Sequence, residues 1–350
     1  MDNKQLHHSE QCIGVNDVAR RQFLSGLALG AGAGLAMSLA ISPLANATNR
    51  TTGTRIVVTA PTGNIGSQVL TNLLTSSSDA KIRVIVRDPS RLPAQVLDQV
   101  EVIQGSHSDA SIMDQALEGA SSLFWLCPPD SRAESVMSAY VDFTRPACEA
   151  IKRNGLGSVV SISALGRGTP MAANAGYITA SLAMDDLIAS TGVAFRALTM
   201  PSFMDNIARQ ASSIHEQGRF FLPIDGDLKL PAVATRDIAS VATGLLLDPT
   251  WRSQEEVPVL GPEDLSFNEM ARIMSDVLDK PVIYEQVSFE TYKTGFVQRG
   301  MSDAMAQGLT DMAKAKNEGI DNALNRTPEN SMPTSFRQWC EEELRPLILV

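Results

Sequence analysis

The chain is short of basic charge and of aromatic residues. Its 29 Lys and Arg stand against 39 Asp and Glu, a formal net charge of −10. It therefore lacks the basic face that a nucleic-acid partner needs. Aromatic residues make up 5% of the chain, too few for the stacking platforms that hold single strands. Metal-ligand spacing is missing too. His7, His8, His107 and His215, with Cys12, Cys127, Cys148 and Cys340, form no Cys-x-x-Cys or His-Glu-x-x-His pattern. No internal repeat or low-complexity segment is visible. What the chain does have is bulk: 350 residues, 44% of them hydrophobic, which suffices for one large core or two smaller ones.

Residues 1–47 read as an export signal. A polar stretch precedes Arg20-Arg21-Gln22-Phe23-Leu24. An apolar, Gly- and Ala-rich run follows from Leu24 to about Ile41, and Ala45-Asn46-Ala47 supplies an Ala-x-Ala cleavage pattern. The arginine pair resembles a bacterial twin-arginine signal. That makes the twin-arginine export machinery the expected partner of a cytoplasmic precursor, and the periplasm its destination. Cleavage after Ala47 would leave no membrane-inserted segment. The alternative is a retained anchor, because the run approaches the ~18 residues that span a bilayer; Gly26, Gly30, Gly32 and Gly34 lower its hydrophobicity. Export by this route carries proteins already folded, often with a cofactor loaded. Cleavage also removes Cys12 and leaves an odd set of cysteines, which fits folding in a reducing compartment and no disulfide framework.

The rest of the chain is organised around Arg55–Gly66. Ile56, Val57 and Val58 are a β-branched run suited to a strand buried on both faces. Thr62, Gly63, Asn64 and Gly66 break it, and Ile65, Val69, Leu70, Leu73 and Leu74 follow at helical spacing. A strand, a tight Gly turn and a helix N-terminus make an anion site. Gly63 lets the backbone approach a pyrophosphate, and Gly66 lets helix and strand pack closely. A Gly-rich turn by itself is equally a plain βα connection.

Strand and helix patterns then alternate, the signature of a parallel α/β sheet. Strands are expected at 81–86, 100–103, 122–127, 158–162 and 194–198, with helices at 112–117, 133–153 and 183–190 among them. This makes an α/β fold, a doubly wound parallel sheet with its ligand crevice at the strand C-terminal ends. The dinucleotide-binding part is expected over 54–200. Residues 201–350 are expected as a smaller C-terminal α/β cap, some segments of which rejoin the sheet. Within the cap, 201–231 reads as a loop region, 237–247 and 267–278 as helices, 257–260 and 282–284 as strands, and 289–344 as helical with a polar break at 325–333.

The second strand ends Val86-Arg87-Asp88-Pro89-Ser90-Arg91. An NAD site usually places an acid here for the ribose hydroxyls. Arg87 and Arg91 are instead natural partners of a 2′-phosphate, so NADP(H) is favoured over NAD(H). The bland reading makes them solvated surface charges, and Asp88 could still take a ribose. Ser106 and His107 fall beside the expected adenine, although a lone loop histidine is more often merely exposed. The backbone of Cys127 and Pro128 would line the ribose next to the nicotinamide. Cys127 itself reads as buried packing and not as a nucleophile. Tyr177 is a candidate proton donor to a carbonyl under reduction, with Ser163 orienting it. The position four residues on, where a lysine would lower the tyrosine pKa, is Ser181. Met200, Phe203 and Met204 are either an apolar substrate wall or ordinary core.

With these residues the chain resembles the NmrA-like, atypical short-chain dehydrogenase/reductase family over residues 54–344. The motifs are 59–66 (Thr-Ala-Pro-Thr-Gly-Asn-Ile-Gly), 86–89 (Val-Arg-Asp-Pro), 123–129 (Leu-Phe-Trp-Leu-Cys-Pro-Pro), 235–239 (Thr-Arg-Asp-Ile-Ala), 260–267 and 332–339, in family order. The resemblance implies a Rossmann domain that binds NADP(H) and a smaller C-terminal domain that shapes a substrate cleft. Gly63 and Gly66 match the family's second and third glycines, and Arg87 its 2′-phosphate arginine. Ala60 stands where the first glycine is usual. Ser163, Tyr177 and Ser181 fall on the superfamily's Ser, Tyr and Lys, so the usual proton relay lacks its lysine. The function this implies is an NADP(H)-dependent oxidoreductase passing hydride to a small carbonyl, quinone or enone. The rival is a non-catalytic redox sensor acting through a partner, and a third reading is a vestigial, empty fold.

Overall fold

Runs of β-branched residues buried on both faces form parallel strands, and the first half of the protein is built that way. The computed structural model describes residues 54–248 and 250–348; the expected export signal lies outside the described residues. Seven strands form one sheet: β1 (Arg55–Val58), β2 (Lys81–Val86), β3 (Glu101–Gln104), β4 (Ser122–Trp125), β5 (Ser158–Ala164), β6 (Ala194–Met200) and β7 (Gln254–Pro258). All pairs are parallel and the order is β7-β6-β5-β4-β1-β2-β3. Val57 lies opposite Arg83 on one side and Leu123 on the other. Strand order reverses between β1 and β4, which opens a crevice at their C-terminal ends.

Alternate residues of each strand feed two cores. On one face, α1 (Asn64–Thr75) and α5 (Thr235–Leu247) cover Ile56, Val58, Phe124 and Val160. On the other, α2 (Ala110–Leu117), α3 (Phe143–Asn154) and α4 (Tyr177–Ala189) cover Val57, Ile85, Leu123, Trp125 and Val159. Arg83 is a charged residue inside β2, and it closes the C-terminus of α2. Its guanidinium donates to the carbonyls of Gln115, Ala116 and Glu118 at 3.1, 2.6 and 2.9 Å and pairs with Glu101 at 2.9 Å. A cation at that helix end also complements the dipole.

Two expectations need correction. Residues 201–231 are not loop alone. They hold helices at Asp205–Ala208 and Ala211–Gln217 and strands at Ser202–Phe203, Arg219–Leu222 and Leu230–Val233. Their partners are remote in sequence: Arg219–Leu222 pairs with Ile283–Gln286, and Leu230–Val233 lies between Ser202–Phe203 and Asp264–Leu265. Nor is 133–153 a regular α-helix throughout: helical backbone begins at 136, runs to 154 and includes a π turn. Ser135 and Ser138 hydrogen-bond each other, residues 138–142 form a wide π turn, and α3 starts at Phe143 with Pro146 near its start. By contrast α6 (Phe267–Leu278) has the expected bounds, fixed by a capping box between Ser266 and Glu269. It packs with Phe220, Phe336 and Trp339 in a further core. Helices α7 (Phe289–Gln298) and α8 (Asp303–Asn317) follow. Among the described residues no helix is long and apolar enough to cross a membrane.

Candidate functional site

The turn after β1 places a helix N-terminus at the crevice. Thr59 fastens it to β4: its hydroxyl donates to the Phe124 carbonyl at 3.0 Å and accepts from Leu126 N–H at 2.9 Å. Gly63 N–H then donates to the Ala60 carbonyl at 2.9 Å. A Cβ on Gly66 would come within 2.2 Å of the Ala60 carbonyl oxygen, so only glycine lets the helix lie this close. The N–H groups of Asn64, Ile65 and Gly66 open α1 without a carbonyl partner. No acidic residue sits in that first turn. Free donors and a positive dipole end suit a diphosphate, and Thr62 and Gly63 lie half-buried beside them.

Arg87 and Arg91 follow β2, exposed and, among the described residues, without a salt bridge or side-chain hydrogen bond, although Arg91 lies within electrostatic reach of Asp88. Asp88 forms a local cap with Ser90. Its carboxylate accepts from Ser90 N–H at 3.1 Å and Ser90 Oγ at 2.6 Å, bonds that hold its pKa below the ordinary carboxylate value. After β3 the Ser106 and Ser108 hydroxyls bond each other at 2.8 Å. His107 corrects an expectation, because it is buried and not exposed. Its Nε2 faces the Leu126 carbonyl at 3.1 Å, and its ring stands edge-on to Trp125 and Phe143. A carbonyl only accepts, so Nε2 carries the proton of a neutral ring. Burial pushes its pKa down to about 4. Cys127 is buried as packing; its thiol contacts the Ala139 carbonyl and burial pushes it up to about 12. Pro128 is exposed next to it.

Helix α4 carries the other end of the site. Tyr177 is its first residue, half-buried, and its hydroxyl has no hydrogen-bond partner among the described residues; burial pushes its pKa up to about 12. Ser163 ends up elsewhere than expected: its hydroxyl donates to buried Asp185 and lies 3.4 Å from Ser181 Oγ, with no bond to Tyr177. Burial raises Asp185 to about 8, and its Oδ1 has no partner. Met200 and Met204 are core residues, and Phe203 is half-buried against the sheet core.

The sequence reading missed Asp205. Its Oδ1 accepts from Asn64 Nδ2 at 3.0 Å and Thr235 Oγ1 at 2.8 Å, and its Oδ2 from Thr235 N–H at 3.0 Å. It thereby joins the start of α1 to the start of α5. The motif at 235–239 has a matching logic, since Asp237 accepts from Thr334 N–H and Oγ1 and Arg236 pairs with Glu342. Only the motif's residue types were visible in sequence.

Comparison with known proteins gives a matching picture. A model of the NAD(P)H-binding family matches residues 61–249, and one of the NmrA-like family matches residues 187–339. The chain is 26% identical over 277 residues to an NAD(P)H azoreductase of Xenophilus azovorans, covering 78% of this chain and 92% of that protein. A nucleoside-diphosphate-sugar epimerase of Staphylococcus aureus has a similar structure, with a TM-score of 0.68 at 18% identity over 83% of this chain and 100% of that one. An NADPH-dependent quinone oxidoreductase of Escherichia coli, solved with NADPH, superposes with a TM-score of 0.66 at 20% identity, covering 81% and 97% of the two chains. At these identities the structural likeness speaks for the Rossmann-like fold.

Proposed function

This chain belongs to the NAD(P)H-binding family, and from that premise we propose that it is an NADPH-dependent reductase of a small carbonyl, quinone or enone. The observation that carries the reading is the helix N-terminus at Asn64–Gly66, free among the described residues, with two exposed guanidiniums, Arg87 and Arg91, at the end of the neighbouring strand. The bound dinucleotide supplies hydride. Thr62, Gly63, Asn64, Ile65 and Gly66 cradle its pyrophosphate. Arg87 and Arg91 take the 2′-phosphate, where a guanidinium fork matches a dianion. Asp88 has one carboxylate oxygen engaged by Ser90, so the preference for NADPH over NADH rests on the two arginines. Ser106 lies toward the adenine, and the Cys127-Pro128 backbone lines the nicotinamide side.

At the acceptor, the Tyr177 phenol stays protonated at neutral pH and gives its proton to the reduced oxygen, regaining one from water. Ser163 donates its hydroxyl proton to Asp185 and takes no direct part in this step. The azoreductase relative and the quinone oxidoreductase neighbour are named for reductions of this kind. Export through the twin-arginine route, resting on Arg20-Arg21 and the Ala45-Asn46-Ala47 site, belongs to this proposal; cell fractionation of the intact protein and of its Arg20→Lys/Arg21→Lys variant tests it.

A fluorescence titration with NADPH and with NADH tests the cofactor reading. NADPH binds more tightly, and Arg87→Ala weakens it by about 10–100-fold, the worth of a charge-assisted contact, while NADH is little affected. Failure of a folded sample to bind either dinucleotide overturns the proposal. One observation favours a second reading, a dinucleotide sensor acting through a partner: Ser181 occupies the lysine position and contacts Ser163. A sensor needs different affinities for oxidised and reduced cofactor, so equal affinities reject it.

A further inference from the structure

Tyrosine is scarce in this chain: Tyr140, Tyr177, Tyr284 and Tyr292 are all there is. Tyr284 shows how a structural tyrosine is held here. Its ring stacks on Phe267 with centroids 5.0 Å apart, and its hydroxyl reaches the Leu222 carbonyl at 2.8 Å and the Ile224 carbonyl besides. The other three differ. They come from the segment after β4, the first residue of α4 and the middle of α7, yet they gather at one place. Tyr140 and Tyr177 stand edge-on with centroids 5.8 Å apart, and Tyr292, on the hairpin packed over them, lies within electrostatic reach of Tyr177 as well as of Tyr284. Each is half-buried, and none of the three hydroxyls has a hydrogen-bond partner among the described residues. None of the three hydroxyls is sealed from the surface, so each is open to a partner from outside the chain.

The framework around them is fixed by close backbone contact. A Cβ on Gly176 would come within 2.0 Å of the Gly308 carbonyl, and one on Gly308 within 3.0 Å of the Tyr177 ring. Only glycine at both positions lets α8 lie directly on Tyr177. At the start of α8, Ser302 N–H donates to the Ser131 carbonyl at 2.9 Å and Ser302 Oγ to the Ala133 carbonyl at 2.7 Å. The α7–α8 hairpin that carries Tyr292 is therefore tied to the segment leading to Tyr140. Desolvation raises all three pKa values, so the hydroxyls remain neutral donors.

We propose that Tyr140, Tyr177 and Tyr292 form the acceptor-recognition site, and that its ligand is a flat conjugated molecule with at least two separated oxygen acceptors, a quinoid diketone. Aromatic walls bind a flat π face, and several phenol donors suit a ligand with an acceptor at each end. A simple enone has one acceptor and leaves the remaining phenols unpaired. Tyr177 keeps the proton-donor role given above, whereas Tyr140 and Tyr292 are positioning residues. The choice of acceptor class rests on the reductase reading; the binding site does not.

The test uses menadione as the quinone and cyclohexenone as the single-acceptor comparator, with Tyr140→Phe and Tyr292→Phe in the full chain. Each variant raises the menadione KM about fivefold, roughly the worth of one neutral hydrogen bond, with kcat changed by less than about twofold and the NADPH Kd held. The cyclohexenone KM moves by less than about twofold in at least one of the two variants, since one acceptor cannot engage every phenol. Menadione KM values equal to wild type in both variants, or equal shifts for both acceptors in both variants, overturn the proposal. Should the wild type bind NADPH but reduce neither acceptor, the reductase reading fails. Quenching of intrinsic fluorescence by menadione in the NADP+ complex then decides the site alone: the same variants weaken it about fivefold, and no quenching of the wild type overturns it.

Discussion

In the proposed reading, the phosphates are met at one end of the crevice mainly by backbone and two guanidiniums, and the acceptor at the other end by side-chain hydroxyls. The nucleotide end consists of three free N–H groups, a glycine packed against a carbonyl and two solvent-facing guanidiniums. The acceptor end gathers Ser163, Ser181 and Asp185 in a buried cluster beside phenols that lack partners. On that reading the pyrophosphate is met by backbone atoms that have no rotamer to lose, which reduces their ordering cost, whereas Arg87 and Arg91 must be ordered on binding. Proton handling and acceptor choice are placed in groups that titrate or rotate. A change at the first end should affect every use of the dinucleotide alike, whereas a change at the second should alter the acceptor or the pH dependence.

The sharpest way to break this comparison is Gly66→Ala. The added methyl would lie 2.2 Å from the Ala60 carbonyl oxygen, whereas a methyl on Gly63 would meet the same oxygen at 3.3 Å. The first contact forces α1 away from β1 and misdirects all three free N–H groups. The expected loss of NADPH affinity is over about 100-fold, with a stability cost of about 1–3 kcal/mol for the overpacked contact. Gly63→Ala, at a backbone conformation that any residue adopts, should cost less than about tenfold. Equal effects in the same titration would show that close helix packing is not what builds the site.

At the acceptor end the largest expected effect is on stability against pH. Burial raises Asp185 from the ordinary 3.8 to about 8. The unfolded chain releases this proton near 4 and the folded chain only near 8. The contribution is therefore complete in acid and is lost as pH rises through about 8. His107 works in the opposite direction: burial lowers it from 6.5 to about 4, so stability is lost as pH falls across that interval. Asp185→Asn should flatten the alkaline limb, raise stability at pH 9 by on the order of 2 kcal/mol, and leave the acid limb in place. Denaturant midpoints from pH 4 to 9 measure this. Parallel curves for the variant and the wild type would remove Asp185 from the account.

The same contrast explains what could be read in advance. The nucleotide turn is local: Ile56-Val57-Val58, Gly63, Gly66 and the helical spacing of Val69, Leu70 and Leu73 lie within one βα unit, so strand, turn and helix were visible together. Asp205 and Asn64 meet across 141 positions of sequence, and Asp237 and Thr334 across 97; nothing at either residue announces its partner. His107 looked like a surface residue because its loop is polar, while the cage of Trp125, Phe143 and the Leu126 carbonyl comes from other elements. The strands between 201 and 233 escaped for the same reason. Strands of two to four residues carry too little alternation to read, and they exist because Ile283–Gln286 and Asp264–Leu265 arrive beside them.

The smallest expected effect tests the turn itself. Ala60 has φ 49 and Asp279 φ 51, the two non-glycine residues of positive φ among those described. Asp279 ends α6, a helix-terminal position where a short polar side chain tolerates the left-handed region. Ala60 has no such compensation, and its methyl crowds the carbonyl that receives Gly63 N–H. Ala60→Gly removes that strain, of about 1 kcal/mol, but also loosens the unfolded chain. The net gain should be about 0–0.6 kcal/mol, or under about 2 °C in Tm for a chain of this size, with NADPH affinity within about twofold. Asp279→Gly should gain less. A fall in Tm for Ala60→Gly would mean that the methyl is held by packing, and that the nucleotide end depends on a side chain after all.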